Sequence, residues 1–201
     1  MTALRIVIAS NNPGKLRELT ALLSDSAYQI VPQQELGVEA AAEPHSTFVE
    51  NALAKARHAA VATGLPALAD DSGLCVDVLH GAPGVLSARF AGEPGDDERN
   101  NLELLRRLAG ATNRRAHYTC VLVALRWFDD AEPVIVEAQW HGEIVTDVRC
   151  MRGNGGFGYD PLFYLPQLAK TAAELDSECK NRISHRGVAL AAMKSKLARW
   201  L

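Results

Sequence analysis

The residues able to do chemistry fall in four short polar segments, each beside an apolar run, where ligand sites tend to lie. The first is Ser10-Asn11-Asn12-Pro13-Gly14-Lys15. A tight turn that opens a helix presents unpaired backbone N–H groups and the positive end of the helix dipole, and Lys15 adds a full charge. That combination suits phosphate, and an ordinary solvated turn is the competing reading. It is not a Walker A loop, because Leu16 follows Lys15 and no earlier glycine stands in the segment. The second is Asp70-Asp71-Ser72-Gly73. Adjacent carboxylates repel, so a buried pair needs a cation, whereas a solvated pair needs only a turn. Side chains alternate along a strand, so one carboxylate faces the ligand side and the other packs elsewhere. Mg²⁺ is a fitting partner, since it takes oxygen ligands together with substrate phosphates. Glu43 is a further acidic candidate. The third segment, Gly155-Gly156-Phe157-Gly158-Tyr159-Asp160, lets backbone approach a ligand closely and offers two rings that either stack on a flat base or join the core. The fourth, Lys180 to Gly187, packs Lys180, Arg182, His185 and Arg186 just ahead of a helix, where cations are disfavoured without an anion or an oxygen-rich ligand.

The elements that must hold these segments are legible from periodicity. Leu4–Ala9 reads as a buried strand, and the turn after it leads into a helix from Lys15 with Leu16, Leu19, Leu22 and Leu23 on one face. Thr47 with Glu50 matches a capping box ahead of an Ala-rich helix that Gly64 and Pro66 end after Thr63. Asn51 and Lys55 share a face of that helix. Leu65–Ala69 predicts a second buried strand running into the acidic pair as its end, and Ala82-Pro83-Gly84 a turn. Asp96–Leu108 reads as an amphipathic helix, and Tyr118–Trp127 with Val134–Val145 as an antiparallel hairpin. Gly187–Leu201 predicts a last helix with Leu190, Met193, Leu197 and Trp200 on one side. The glycine-rich loop begins at Gly153-Asn154. Helices alternating with strands give an α/β chain with a mixed sheet.

Composition narrows the classes. The 201 residues, 48% hydrophobic and 22% charged, fit one domain over 1–201 and exclude a disordered chain or a coiled coil. A net charge of −3 argues against coating nucleic acid. No apolar stretch approaches the length that spans a bilayer, and no signal-peptide pattern opens the chain. Cys75, Cys120, Cys150 and Cys179 lie far apart with no Cys-x-x-Cys, which points to buried, reduced thiols and a cytoplasmic protein.

Taken in order, Ser10 to Lys15, Phe48-Val49-Glu50-Asn51-Ala52 with Lys55, Ala69-Asp70-Asp71-Ser72-Gly73-Leu74, Gly156-Phe157-Gly158-Tyr159-Asp160-Pro161 and Ser184-His185-Arg186-Gly187 resemble the Ham1/RdgB/inosine triphosphatase family of nucleoside-triphosphate pyrophosphatases. Each piece is weak alone; five in register across the chain are specific. The resemblance implies an elongated mixed β-sheet flanked by helices, with two lobes around a central cleft. It implies hydrolysis of dITP, ITP and XTP to monophosphate and pyrophosphate, one Mg²⁺ per subunit with Mn²⁺ as the other suitable cation, and a homodimer that binds neither nucleic acid nor membrane. By the same resemblance Asp71 is the catalytic acid residue and metal ligand, and Glu43 the second ligand, although Ala42 and Pro44 depart from common versions. Ser10, Asn11, Asn12, Pro13, Gly14 and Lys15 form the phosphate loop, with Asn11 where many relatives carry Gly. Lys55 lies near the phosphates and Ser72 contacts substrate. Phe157, Gly158, Tyr159 and Asp160 form the base loop with Phe157 stacking, and Lys180, His185 and Arg186 surround the base and its 6-oxo group. A Maf-like pyrophosphatase is the near alternative, although its Ser-x-Ser-Pro-Arg-Arg signature is absent; a non-catalytic purine-nucleotide sensor is the distant one.

Overall fold

The computed structural model describes residues 4–23, 28–153, 155–198 and 200. The Leu22 side chain, Asn154 and Leu201 lie outside the described residues. Seven strands form one mixed sheet in the order β2-β1-β3-β4-β5-β6-β7. These strands are β1 (Leu4–Ala9), β2 (Tyr28–Pro32), β3 (Ala67–Val76), β4 (Arg115–Leu125), β5 (Val134–Ile144), β6 (Phe163–Leu165) and β7 (Lys170–Thr171). Strand β1 runs parallel to β2 and β3, whereas β6 is antiparallel to β5 and β7. The helices are α1 (Pro13–Leu23), α2 (Phe48–Thr63), α3 (Asp97–Arg107), α4 (Ser177–Ile183) and α5 (His185–Leu197). Among the described residues no helix is long and apolar enough to cross a membrane.

The chain divides into two compact units. The first comprises Met1–Asp71, Cys120–Ala138 and Arg186–Leu201. Strict alternation builds its two cores. On one face Ile6, Ile8, Leu68, Cys120, Leu122 and Ala124 pack against Leu19 and Leu23 of α1 and Ala189, Leu190, Met193 and Leu197 of α5. On the other, Val7, Ala9, Ala67, Ala69, Val121, Val123 and Leu125 meet the alanine stripe Ala52, Ala56, Ala59 and Ala60 of α2. Alanine at those positions lets α2 approach the sheet closely. The Thr47 hydroxyl caps α2 by accepting from Glu50 N, and it donates in turn to the Glu50 carboxylate at 2.5 Å. Gly64 ends the helix at φ 65, its N–H returning to Ala60 O.

The second unit comprises Ser72–Thr119 and Gln139–His185. Its core gathers Leu74 and Val76 of β3, Leu104 and Leu108 at the end of α3, Tyr118 of β4, Trp140 and Ile144 of β5, with Tyr159, Leu162 and Phe163. Ile144 N donates to Arg114 O, so the start of β4 lies against the end of β5 as in the expected hairpin.

Several expectations need correction. Asp70 and Asp71 do not end a strand: β3 continues through them to Val76, because nearby cations neutralise both carboxylates. The basic segment is no loop. Lys180 and Arg182 sit in the last turn of α4, where cations suit the dipole, and His185 and Arg186 open α5. Strands β2, β6 and β7 and helix α4 went unpredicted: two of the strands are three residues or shorter, and β2 ends on Pro32, which an edge strand tolerates. Among the described residues no cysteine forms a disulfide, and of the four only Cys120 is buried; Cys75, Cys150 and Cys179 are partly exposed.

Candidate active site

The predicted residues assemble into two groups, one in each unit. In the first unit, α1 starts with Pro13, a residue pre-set for a first helical turn. Asn12 caps it: its Oδ1 accepts from Lys15 N at 3.0 Å, and its own N–H donates to Ser10 Oγ at 3.3 Å. The Asn11 side chain is engaged too, accepting from Gln33 Nε2 at 2.6 Å.

Alternation along β3 sends the two carboxylates to opposite faces. Asp70 shares parity with Leu68 and lies on the α1/α5 side, where it pairs with Lys15 Nζ and, at 3.1 Å, with Arg186 Nε. Cys120 Sγ donates to it at 3.3 Å. Burial alone would raise its pKa, but Lys15 and Arg186 outweigh burial and hold the carboxyl well below the usual carboxylate range. Arg186 pairs in addition with Glu18 of α1, one turn beyond Lys15. The cation at the start of α5 thus has two carboxylate partners, which answers the dipole conflict seen in the sequence.

Asp71 shares parity with Ala69 and lies on the α2 side. Its Oδ1 accepts from Lys55 Nζ at 2.8 Å and its Oδ2 from Asn51 Nδ2 at 3.4 Å. The same Lys55 ammonium donates to Glu43 Oε1 at 2.8 Å, so both carboxylates converge on one point. Burial is the largest influence on Asp71 and raises its pKa, over the lowering effect of Lys55 and Lys15. For Lys55, burial is outweighed by Asp71 and Glu43, and its pKa rises. Asn51 escaped the site prediction although its place on the Lys55 face was visible. It is 1% exposed and clamps the loop that carries Glu43, accepting from His45 N at 3.0 Å and donating to His45 O at 3.2 Å. Glu18 was detectable in the same way, three residues after Lys15 on α1.

In the second unit the glycine-rich loop closes on Asp160. Its Oδ2 accepts from Phe157 N at 2.8 Å and from Lys180 Nζ at 2.7 Å, and Tyr118 Oη donates to its Oδ1 at 3.4 Å. The Lys180 ammonium also sits 5.1 Å from the centroid of the Phe157 ring, a cation–π contact on a half-buried aromatic. Tyr159 instead joins the core, donating through Oη to Ser87 O at 2.8 Å, and burial pushes its pKa up. Of the two rings, Phe157 is therefore the one suited to stacking. His185 lies flat on Tyr118, with centroids 4.7 Å apart and planes at 6°. Gly156 is obligatory here, since at φ +74 a Cβ would meet Asp160 Oδ2 at 2.0 Å. Ser72, the first residue of this unit, is half-buried on β3.

Chemically, the first group joins a helix start, two lysines and convergent carboxylates, which fits phosphate and a hard cation. The second joins a ring, a cation and an imidazole, which fits a flat polar base.

Comparison with known proteins gives the family. The Ham1 family model matches residues 6–196. The chain is 61% identical over 194 residues to the dITP/XTP pyrophosphatase of Nitrosomonas europaea, covering 96% of this chain and 94% of that protein. It is 58% identical over 196 residues to that of Ralstonia nicotianae, covering 96% of each. Among solved structures, a HAM1 protein from Coxiella burnetii superposes with a TM-score of 0.90 at 47% identity, covering 98% of this chain and 99% of that one. With the family pattern spanning almost its whole length, this chain belongs to the Ham1 family.

Proposed function

We propose that the protein hydrolyses non-standard purine nucleoside triphosphates, namely dITP, ITP and XTP, to the monophosphate and pyrophosphate. The observation that carries this reading is the Asp71–Lys55–Glu43 cluster, with Lys15 and the capped start of α1 in the same unit. The dITP/XTP pyrophosphatases that this chain resembles at about 60% identity support it.

In the reaction a water oxygen bonds to the α-phosphorus, the bond from that phosphorus to the bridging oxygen breaks, and pyrophosphate leaves. Lys15, Lys55 and the first-turn amides of α1 neutralise the triphosphate, and this positioning and charge are most of what phosphoryl chemistry asks of a protein. Asp71 is buried, and that burial makes its carboxylate a better proton acceptor than a solvated one. It orients the water and takes its proton.

The donor set fits a divalent ion. Asp71 and Glu43 offer convergent oxygens within 2.8 Å of one ammonium. Among the described residues no three His, Cys, Asp or Glu side chains cluster to hold a metal; Asp71 and Glu43 would hold the ion, and phosphate oxygens and waters would supply its other ligands, as suits Mg²⁺ or Mn²⁺. When bound, such an ion neutralises phosphate charge and acidifies water.

On the base side, Phe157 stacks, while Lys180 and Asp160 hold its ring and backbone. His185 donates to a 6-oxo group, where the 6-amino group of adenine would set donor against donor. Arg186, 2% exposed and committed to Asp70 and Glu18, acts through the shared Asp70 carboxylate on Lys15. The enzyme acts as a cytoplasmic homodimer, a state that light scattering checks.

The test is incubation with dITP, XTP, dGTP and dATP, with Mg²⁺ or chelator, resolved by anion exchange, with Asp71→Asn in parallel. Monophosphate and pyrophosphate from dITP and XTP are expected, lost in chelator and reduced at least roughly 10²-fold in the variant. Release of single phosphate would move the attack to another phosphorus. Binding of dITP without turnover would favour a sensor, and turnover confined to pyrimidine or methylated nucleotides a Maf-like specificity.

A further inference from the structure

Helix α3 carries no site residue assigned above, yet its first two turns hold the base loop. Asp97 Oδ2 accepts from Gly158 N at 2.7 Å, and Asn101 Nδ2 donates to Gly158 O at 3.0 Å. Asp97 and Asn101 are i and i+4, one above the other on the helix face, so a single turn of α3 grips both backbone groups of one residue. That residue is a glycine in a left-handed conformation: Gly158 adopts φ +63, with nothing within 4 Å of where a Cβ would stand. No packing confines it, and glycine is the residue with most conformational freedom to lose. Its neighbour Phe157 carries the ring that stacks.

The neighbouring amide makes the arrangement more telling. Asn100 is fully used, accepting from Ala91 N at 2.8 Å and donating to Ala88 O at 3.1 Å. Asn101 is different. It is 4% exposed, and its Oδ1 is buried and accepts no hydrogen bond among the described residues. A buried acceptor left unpaired costs stability, and an apolar side chain of similar volume would avoid the cost. The orientation of the amide is set by its partner, because a carbonyl oxygen can only accept. Asn101 thus leaves a buried acceptor unpaired while its amide donates one hydrogen bond to Gly158.

We propose that Asp97 and Asn101 are positioning residues that hold the base-stacking loop through Gly158 and thereby set selectivity among nucleobases. This rests on the reading that the loop takes the base. Selectivity by polar edges needs donors and acceptors held within tenths of an ångström, and a loop pivoting at Gly158 would blur that match.

The test uses Asp97→Ala and Asn101→Leu, with Asp97→Asn as the conservative variant that keeps an acceptor oxygen. For Asp97→Ala and Asn101→Leu the KM for dITP should rise roughly tenfold, the worth of about one hydrogen bond. The preference for dITP over dGTP should fall by a similar factor. The kcat should stay within about twofold and the inhibition constant of inorganic pyrophosphate, which reads the phosphate end alone, should not move. Amide exchange at Gly158 should quicken while global stability holds, and Asp97→Asn should restore the wild-type values. An unmoved KM and selectivity would overturn the proposal, and so would kcat and pyrophosphate inhibition shifting along with KM. If the wild type releases no pyrophosphate from dITP, the proposed function itself falls. Exchange then decides the clamp: faster exchange at Gly158 in both variants supports it, and unchanged exchange overturns it.

Discussion

Replacing Asp70 with Asn keeps its shape and removes its charge, which isolates the electrostatics of the buried network. The carboxylate side chain is wholly inside, paired with Lys15 and Arg186. Breaking a buried ion pair by removing one partner costs about 3–5 kcal/mol, because the surviving charge stays desolvated. Two features soften the loss here. Arg186 keeps Glu18, and the Lys15 side chain is 15% exposed and can turn toward water. The lower end, about 3 kcal/mol, is therefore expected. For a chain of this length each kcal/mol moves Tm by about 2–4 °C, so Asp70→Asn should melt about 6–12 °C below the wild type. Differential scanning calorimetry supplies the midpoint, and urea titration supplies the free energy. A double-mutant cycle with Arg186→Met then tests the cause. If the pair is coupled, the double variant should be less destabilised than the sum of the singles by about 0.5–3 kcal/mol. A midpoint within about 2 °C of wild type, or strict additivity, would refute the reasoning.

Two further predictions concern separate regions. Asp130 accepts from Arg126 N, Nε and Nη2 at 3.1, 2.8 and 2.6 Å and from Glu132 N at 3.0 Å; Arg126 above all holds its carboxyl well below the usual range. A depressed carboxylate lends stability that is complete above the unfolded pKa of about 3.9 and lost as pH falls below it. Asp130→Ala should thus cost about 1–3 kcal/mol at neutral pH and flatten the acid limb of a urea-midpoint profile, and a profile merely shifted in parallel would contradict this. Gly156→Ala places a Cβ 2.0 Å from Asp160 Oδ2, the atom that holds Phe157 N and Lys180 Nζ. It should raise the KM for dITP roughly tenfold or more while leaving pyrophosphate inhibition intact, and unchanged steady-state kinetics would show that the carboxylate moves aside without consequence.

How much of this was legible beforehand can be read from particular residues. The β1–turn–α1 unit, the Thr47 cap, the ends of α2 and the hairpin all follow from local pattern, since their signals lie within a few positions of one another. The four polar segments were visible for the same reason. What local pattern missed were contacts distant in sequence. Asn51 and Asp71 are 20 residues apart, Asp97 and Gly158 61, and Arg186 and Glu18 168, and no spacing rule links such pairs. Asp70 and Asp71 show the limit most clearly. Their adjacency announced a site, and alternation announced opposite faces. Whether they ended a strand or ran through its middle depended on cations that the sequence delivers from remote positions.

By itself, then, the order of residues determined most of the helices and strands, though not β2, β6, β7, α4 or the far end of β3, and which side chains carry charge, ring or hydroxyl, because propensity, capping and alternation act between near neighbours. The tertiary structure alone decided the partners. It gave Asp71 to Lys55 and Asp70 to Lys15 and Arg186, turned Tyr159 inward while leaving Phe157 half-exposed, and set Asn101 against Gly158. Those choices rest on desolvation and packing, which depend on every element that closes over a residue and so have no local signature.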